Sequence, residues 1–169
     1  MNSFQSNKGE NYLLLHIFII SIIFSINHNI KAADWPQYLG PNRNSTSPEK
    51  GILRSWPENG PEVLWKVSVG KGFGGPVIND NKVYLLDRDD QVGDTMRCFD
   101  LTNGKELWKY GYDAPGSVMF PGSRSAPIVD GNYVYSCGHN GDLYCIDINT
   151  NKPVWNKNVW KDFGGGSLP

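Results

Sequence analysis

Three groups of residues in this 169-residue chain have the types and spacings of chemical sites. Gly70-x-Gly72-x-x-Gly75 follows an apolar run and has the glycine spacing of a dinucleotide loop, in which amides at a helix N-terminus hold a pyrophosphate. Asp87-Arg88-Asp89-Asp90-x-x-Gly93-Asp94 gathers carboxylates closely enough to suit a hard cation such as Ca²⁺. Cys98, Cys137 and Cys145 offer thiols, with His139 among them as an imidazole.

Each group meets a local obstacle. The dinucleotide loop needs a helix after its third glycine, but Pro76 follows Gly75 directly and a strand-like run with an Asn-Asp-Asn turn comes next. Gly70 to Gly75 therefore reads as a crossover between strands. In the acidic loop the EF-hand order fails, because Val92 stands where glycine is required and Cys98 where the bidentate Glu belongs; the run predicts a solvated hairpin loop. No Cys-x-x-Cys occurs and His139 is the only histidine after residue 32, so no metal cluster is expected. The three cysteines read as buried small hydrophobes and His139 as a solvated turn residue. Arg124 lies in the longest connection, residues 114–125, a candidate binding surface because such loops carry function more often than strands do. Asn44-Ser45-Thr46 fits the glycosylation pattern, which matters only in a host that glycosylates exports.

Bulk properties narrow the class. With 39% hydrophobic and 20% charged residues the chain is globular in composition, and a net charge of −1 gives no electrostatic basis for binding nucleic acid. Residues 13–26, LLLHIFIISIIFSI, follow a polar start and precede Lys31-Ala32-Ala33, the pattern of a secretory signal peptide cleaved after Ala32. The run is shorter than the roughly 20 apolar residues that span a bilayer, so no membrane span is expected after its removal. Beyond residue 32 there remain 14 bases and 16 acids, a net charge of −2.

What positions these residues is a repeat. PVINDNKVYLL at 76–86 matches PIVDGNYVYSC at 127–137, and CFDLTNGKELW at 98–108 matches CIDINTNKPVW at 145–155. The offsets, 51 and 47, differ by a four-residue insertion between Asp87 and Asp94, and periods of this length mark solenoids, arrays or propellers. Each copy reads as four short strands separated by Asn/Asp/Gly turns, with no helical period after the leader. Runs such as LYCIDI are apolar on both faces, as in a sheet sandwiched between two others. Glu62 to Val69 resembles the closing strand of an earlier copy, with Trp65 in the place of Trp108 and Trp155, and Ser167 to Pro169 repeats Ser125 to Pro127. A two-residue turn at Asn140-Gly141 would set Cys137 opposite Tyr144 and Cys145 opposite Ser136. Cys98 and Cys145, equivalent in neighbouring sheets about 10 Å apart, are too distant for a disulfide.

Asp100-x-x-x-Gly104-Lys105-x-x-Trp108 and Asp147-x-x-Thr150-x-Lys152-x-x-Trp155 resemble the tryptophan-docking repeat of pyrroloquinoline-quinone-type (PQQ-like) β-propellers. Cys98 and Cys145 stand where that family usually has Ala, and Asn151 stands in the glycine place of the second copy. The resemblance, over about residues 34 to 169, implies an all-β propeller of four-stranded antiparallel blades, two of them complete here out of seven or eight. The organisation it implies is a signal peptide at 1–32, a leader segment at 33–61 and incomplete blades at 62–169. It implies blade-docking roles for Trp65, Asp100, Gly104, Trp108, Asp147 and Trp155. It also implies an exported bacterial protein, periplasmic or extracellular, acting as a binding or scaffolding module for proteins or a small ligand at its rim, with no catalytic site in view. The alternative within the family is an alcohol or sugar dehydrogenase using PQQ with Ca²⁺, whose active site lies mostly in missing blades. Such enzymes have an adjacent Cys-Cys pair, absent here, carboxylate and amide Ca²⁺ ligands and an Asp base. A third resemblance is to the propeller subunit that supports outer-membrane barrel assembly and binds proteins by its rim.

Overall fold

Adjacent backbone hydrogen bonding organises the chain into two sheets of four strands each. A computed structural model describes residues 33–116 and 120–164. The signal-peptide reading of 1–32, the middle of the 114–125 connection and the Ser167–Pro169 repeat lie outside the described residues. The first sheet contains β1 (Val77–Asn79), β2 (Lys82–Asp89), β3 (Gly93–Asp100) and β4 (Glu106–Asp113), the second β5 (Ile128–Asp130), β6 (Tyr133–Cys137), β7 (Asp142–Asp147) and β8 (Lys152–Asn158). Strands follow in chain order across each sheet and every pairing is antiparallel. A five-residue helix, α1 (Val159–Phe163), closes the described chain, its first turn capped by Asn158 Oδ1. This helix departs from the purely β expectation; its cap is an Asn that donates its amide to Asp142, so the strand end itself seeds the turn.

The turns at one end repeat almost atom for atom. Asp100 Oδ1 accepts from the amides of Thr102 and Asn103, and Asp147 Oδ1 accepts from those of Asn149 and Thr150. Gly104 (φ 71°) and Asn151 (φ 59°) then occupy the same left-handed place, each amide donating to the carbonyl of the preceding Asp. Glycine and asparagine are the residues that adopt this conformation most cheaply, which explains the exchange. Even the register shift recurs, between Cys98 and Phe99 and between Cys145 and Ile146.

The core forms where the two sheets face each other. Tyr84, Leu86, Met96 and Cys98 of the first sheet pack with Val129, Val134 and Ile146 of the second, and Trp108 and Tyr144 are partly buried against them. Across the seam Tyr112 stacks on Tyr144 with ring centroids 4.1 Å apart. This is the stacking of blades in a β-propeller. The leader adds a lacing absent from any sequence pattern: Trp35 pairs with Ile78 of β1, while Pro36 O accepts from Val129 N of β5.

Three expectations need correction. Residues 62–69 form no strand, because none of their backbone groups has a ladder partner among the described residues, and Val63 and Leu64 are exposed. The loop between β6 and β7 spans Gly138 to Gly141, closed by Gly138 N to Asp142 O, so Cys137 pairs with Leu143, Ser136 with Tyr144 and Cys145 with Tyr135. Closure at Gly138 and Asp142 leaves three residues, 139–141, in the turn, one more than expected, which shifts every partner by one. The acidic run 87–94 is not a solvated loop: β2 and β3 continue through it, with Asp87, Arg88 and Asp94 buried and only the 90–92 turn outside the strands.

Candidate functional site

The inserted β2–β3 extension, the crossover at 70–75, the connection at 114–126 and the β6–β7 loop all emerge at one end of the sheets, opposite the Asp100 and Asp147 turns. Arg88 is the centre of this rim. Its guanidinium, wholly buried, donates to Asp90 (3.1 Å), Asp94 (3.0 Å) and the carbonyls of Ala114 (2.7 Å) and Gly116 (2.6 Å). The carbonyls of Asp90 and Val92 accept in return from Gly116 and Ala114, so the long connection is sewn to the hairpin from both sides. Asn140 Nδ2 reaches Ala114 O at 3.5 Å, and Asn158 Nδ2 holds Asn140 O at 3.0 Å, carrying the network to the cap of α1. Asp87 accepts from Arg97 (2.7 Å) and from the amide of Gly70, which fixes the crossover.

Burial and charge set the protonation of this rim. Burial pushes Asp94 up to about 6, outweighing the downward pull of Arg88. Burial and Arg88 together lower His139, whose Nδ1 is buried without a partner among the described residues, so the solvated histidine of the sequence reading is instead half-buried. Burial raises the thiols of Cys98 (to about 11), Cys137 and Cys145, so all three stay protonated near neutral pH and none is a thiolate nucleophile. The cysteines are free, with Cys98 and Cys145 buried.

The glycine loop has a structural use. Between 70 and 75 the chain runs beside the second crossover, Gly72 bridging Ser123 in parallel, with Phe73 N donating to Ser123 O at 2.7 Å. A Cβ on Gly72 would stand 2.9 Å from Ser123 Oγ, and one on Gly70 would stand 2.8 Å from Arg88 O. Close approach of neighbouring chain accounts for Gly70 and Gly72, whereas Gly75 has open space around it. Beside it an open cleft of about 520 Å³ is lined by Val69, Gly70, Lys71, Arg88 and the 89–91 turn. The rim loops expose Phe73 (67%), Val92 (58%) and Phe120 (60%), with Arg124 also exposed. Phe73 and Phe120 have no motif to mark them; the only signal is their place in Gly/Pro-rich connections.

The three tryptophans singled out for docking fall into three settings. Trp65 lies over the Asp100–Gly104 turn: its Nε1 donates to Leu101 O at 2.8 Å, and a Cβ on Gly104 would stand 2.6 Å from its indole. Trp108 is half-buried, meeting Tyr84 edge-on at 6.1 Å. Trp155, equivalent in sequence, is 41% exposed, touching Tyr135 at 6.1 Å.

Two stacked four-stranded blades joined by repeated turns define the class, a β-propeller built from PQQ-like repeats. The chain belongs to the family described as Outer membrane protein assembly factor BamB, whose pattern matches residues 49–168. The Outer membrane protein assembly factor BamB of Salmonella typhimurium is 28% identical over 111 residues, covering 59% of this chain and 26% of that protein. This chain thus spans about a quarter of that relative's length. The crystal structure of BamB from Moraxella catarrhalis superposes with a TM-score of 0.43 and 22% identity over 56% of this chain and 26% of its own. A europium-containing methanol dehydrogenase superposes with a TM-score of 0.37 and 24% identity, over 48% and 14% of the two chains.

Proposed function

We propose that this chain is part of an exported bacterial propeller that acts as a scaffold, using its rim loops to bind a protein of the outer-membrane assembly apparatus. The observation that carries the reading is the contrast at the rim, where exposed Phe73, Val92 and Phe120 stand on loops fastened from beneath by the buried Arg88 network. Apolar anchors on a preorganised support are what protein interfaces use, because little side-chain and loop entropy is lost on binding. Family membership supports the same reading. Among the described residues no helix is long and apolar enough to cross a membrane. Removal of a leader at residue 32 and blade-docking roles for Trp65, Asp100, Gly104, Trp108, Asp147 and Trp155 belong to this proposal; the hydrogen bond from Trp65 to Leu101 supports the latter.

The alternative, a PQQ- and Ca²⁺-dependent dehydrogenase, would place its active site mostly in other blades. No adjacent Cys-Cys pair occurs in these two blades, and the carboxylates of the acidic run are engaged by cations of the chain itself, Asp94 by Arg88 and Asp87 by Arg97. Among the described residues no group of three or more His, Cys, Asp or Glu side chains could hold a metal ion.

Photo-crosslinking amino acids at Phe73 and Phe120, in the producing bacterium, test the scaffold. Crosslinks to an envelope assembly protein are expected there and not from Asn103 or Thr150 at the opposite end. Equal yields from both ends, or crosslinks only from the opposite turns, would refute a rim interface.

A further inference from the structure

Three buried polar atoms from three strands converge on the seam between the blades. Asp94 Oδ1, Tyr112 Oη and Ser136 Oγ are each sealed from solvent and have no well-aligned hydrogen-bond partner among the described residues. Asp94 and Tyr112 face each other across β3 and β4, and both reach Gly138 of the second blade, where an added Cβ would collide with Asp94 Oδ2 and stand 2.9 Å from Tyr112 Oη. Ser136 is brought to the same place by two contacts: it pairs with Tyr144, and Tyr144 stacks on Tyr112. Ser136 Oγ lies within hydrogen-bonding reach of Tyr112 Oη, but not in a geometry that satisfies either hydroxyl.

We propose that this seam is a binding site for one internal water molecule, held by Asp94 Oδ1, Tyr112 Oη and Ser136 Oγ. A buried donor or acceptor left unsatisfied costs about 1–3 kcal/mol, and internal waters typically make about three hydrogen bonds to such groups. The inventory matches. The water accepts from Tyr112, donates to the carboxylate oxygen that Arg88 leaves free, and exchanges its second proton with the Ser136 hydroxyl, which can donate or accept. Arg88 already supplies the positive charge on Asp94 Oδ2, so a neutral ligand suits the site better than a second cation. The water thereby ties the first blade to the second at a point where their side chains fall short of each other.

Oxygen-17 magnetic relaxation dispersion counts waters that reside in a protein for longer than its tumbling time. The wild-type chain is expected to show one more such water than the Tyr112→Phe/Ser136→Ala double variant, with Ser136→Ala alone giving a shortened residence. An unchanged count in the double variant overturns the site. A high-resolution crystal structure of the unmodified chain gives an independent measure: a solvent peak within hydrogen-bond distance of all three oxygens supports it, and a direct bond from Tyr112 Oη to Asp94 with no peak between them overturns it.

Discussion

Replacing Arg88 with Met tests whether the rim is held by its buried charge or merely by its backbone ladder. The substitution keeps much of the side-chain volume and removes four hydrogen bonds, to Asp90, Asp94, Ala114 O and Gly116 O. Asp94, fully buried, then loses the cation that faces it at 3.0 Å. Breaking a buried ion pair from one side costs about 3–5 kcal/mol, largely because the remaining charge is stranded. With a urea slope of roughly 1–3 kcal/mol per molar, the unfolding midpoint should fall by more than about 1 M. Two controls separate the charge from the packing. In the double variant Arg88→Met/Asp94→Leu no charge is stranded, so most of the loss should return, as such apolar replacements are often neutral or better. Acid should also shrink the deficit of the single variant, since without Arg88 the carboxyl rises further from its already raised value near 6 and takes up a proton more readily. Urea titrations at pH 8 and pH 5 read both effects. A double variant as unstable as the sum of its parts, or a deficit that grows in acid, would refute the charge argument.

Further outcomes follow from single contacts. The folded Asp94 carboxyl titrates above its unfolded value of 3.8, so its contribution to stability is fully present below that value and lost as pH rises through about 6; Asp94→Asn should flatten the stability profile across that window, measured by denaturation at each pH. Trp65→Phe removes the bond to Leu101 O and should lower stability by about 1 kcal/mol, with a matching change in near-UV circular dichroism. Gly104→Ala should cost more, because it combines a left-handed φ of 71° with an indole 2.6 Å from the new Cβ; stability equal to wild type would show that Trp65 can leave the turn freely.

The blade pattern is legible in the sequence because its signals are local. Asp100 and Asp147 bond amides two and three residues ahead, and turn chemistry of that range is written in short motifs. Trp65 can be placed by its offset from Trp108 and Trp155, although its strand cannot, since a strand exists only where another backbone pairs with it. Arg88 misleads for a related reason. In LLDRDD the charges look solvated, and what buries them is the Ala114–Gly116 backbone some 26 to 28 residues away, which no periodicity reports. The β6–β7 register fails on a smaller point: Gly138 looks like the end of a strand, but its amide closes the loop onto Asp142 O.

The two ends of the sheets therefore obey different rules. At the Asp100 and Asp147 end, both blades use the same side-chain bonds, the same left-handed place in the turn and the same register shift, which is what a unit that must stack repeatedly requires. At the rim the blades diverge: the first extends its hairpin by four residues and fills it with Arg88 and Asp94, whereas the second turns at Gly138–Gly141 and passes its hydrogen bonds through Asn158 into α1. Stacking constrains the first end and leaves the second free to vary. A surface built by such variation, rigid below and apolar above, is where a scaffold can differ from blade to blade without disturbing the stack. Exchanging residues 87–94 for a short turn that copies residues 138–141 should then weaken rim crosslinking from Phe120 while leaving the Trp65–Leu101 contact, read by near-UV circular dichroism, intact. Loss of both signals together would show that the rim network also supports the stack.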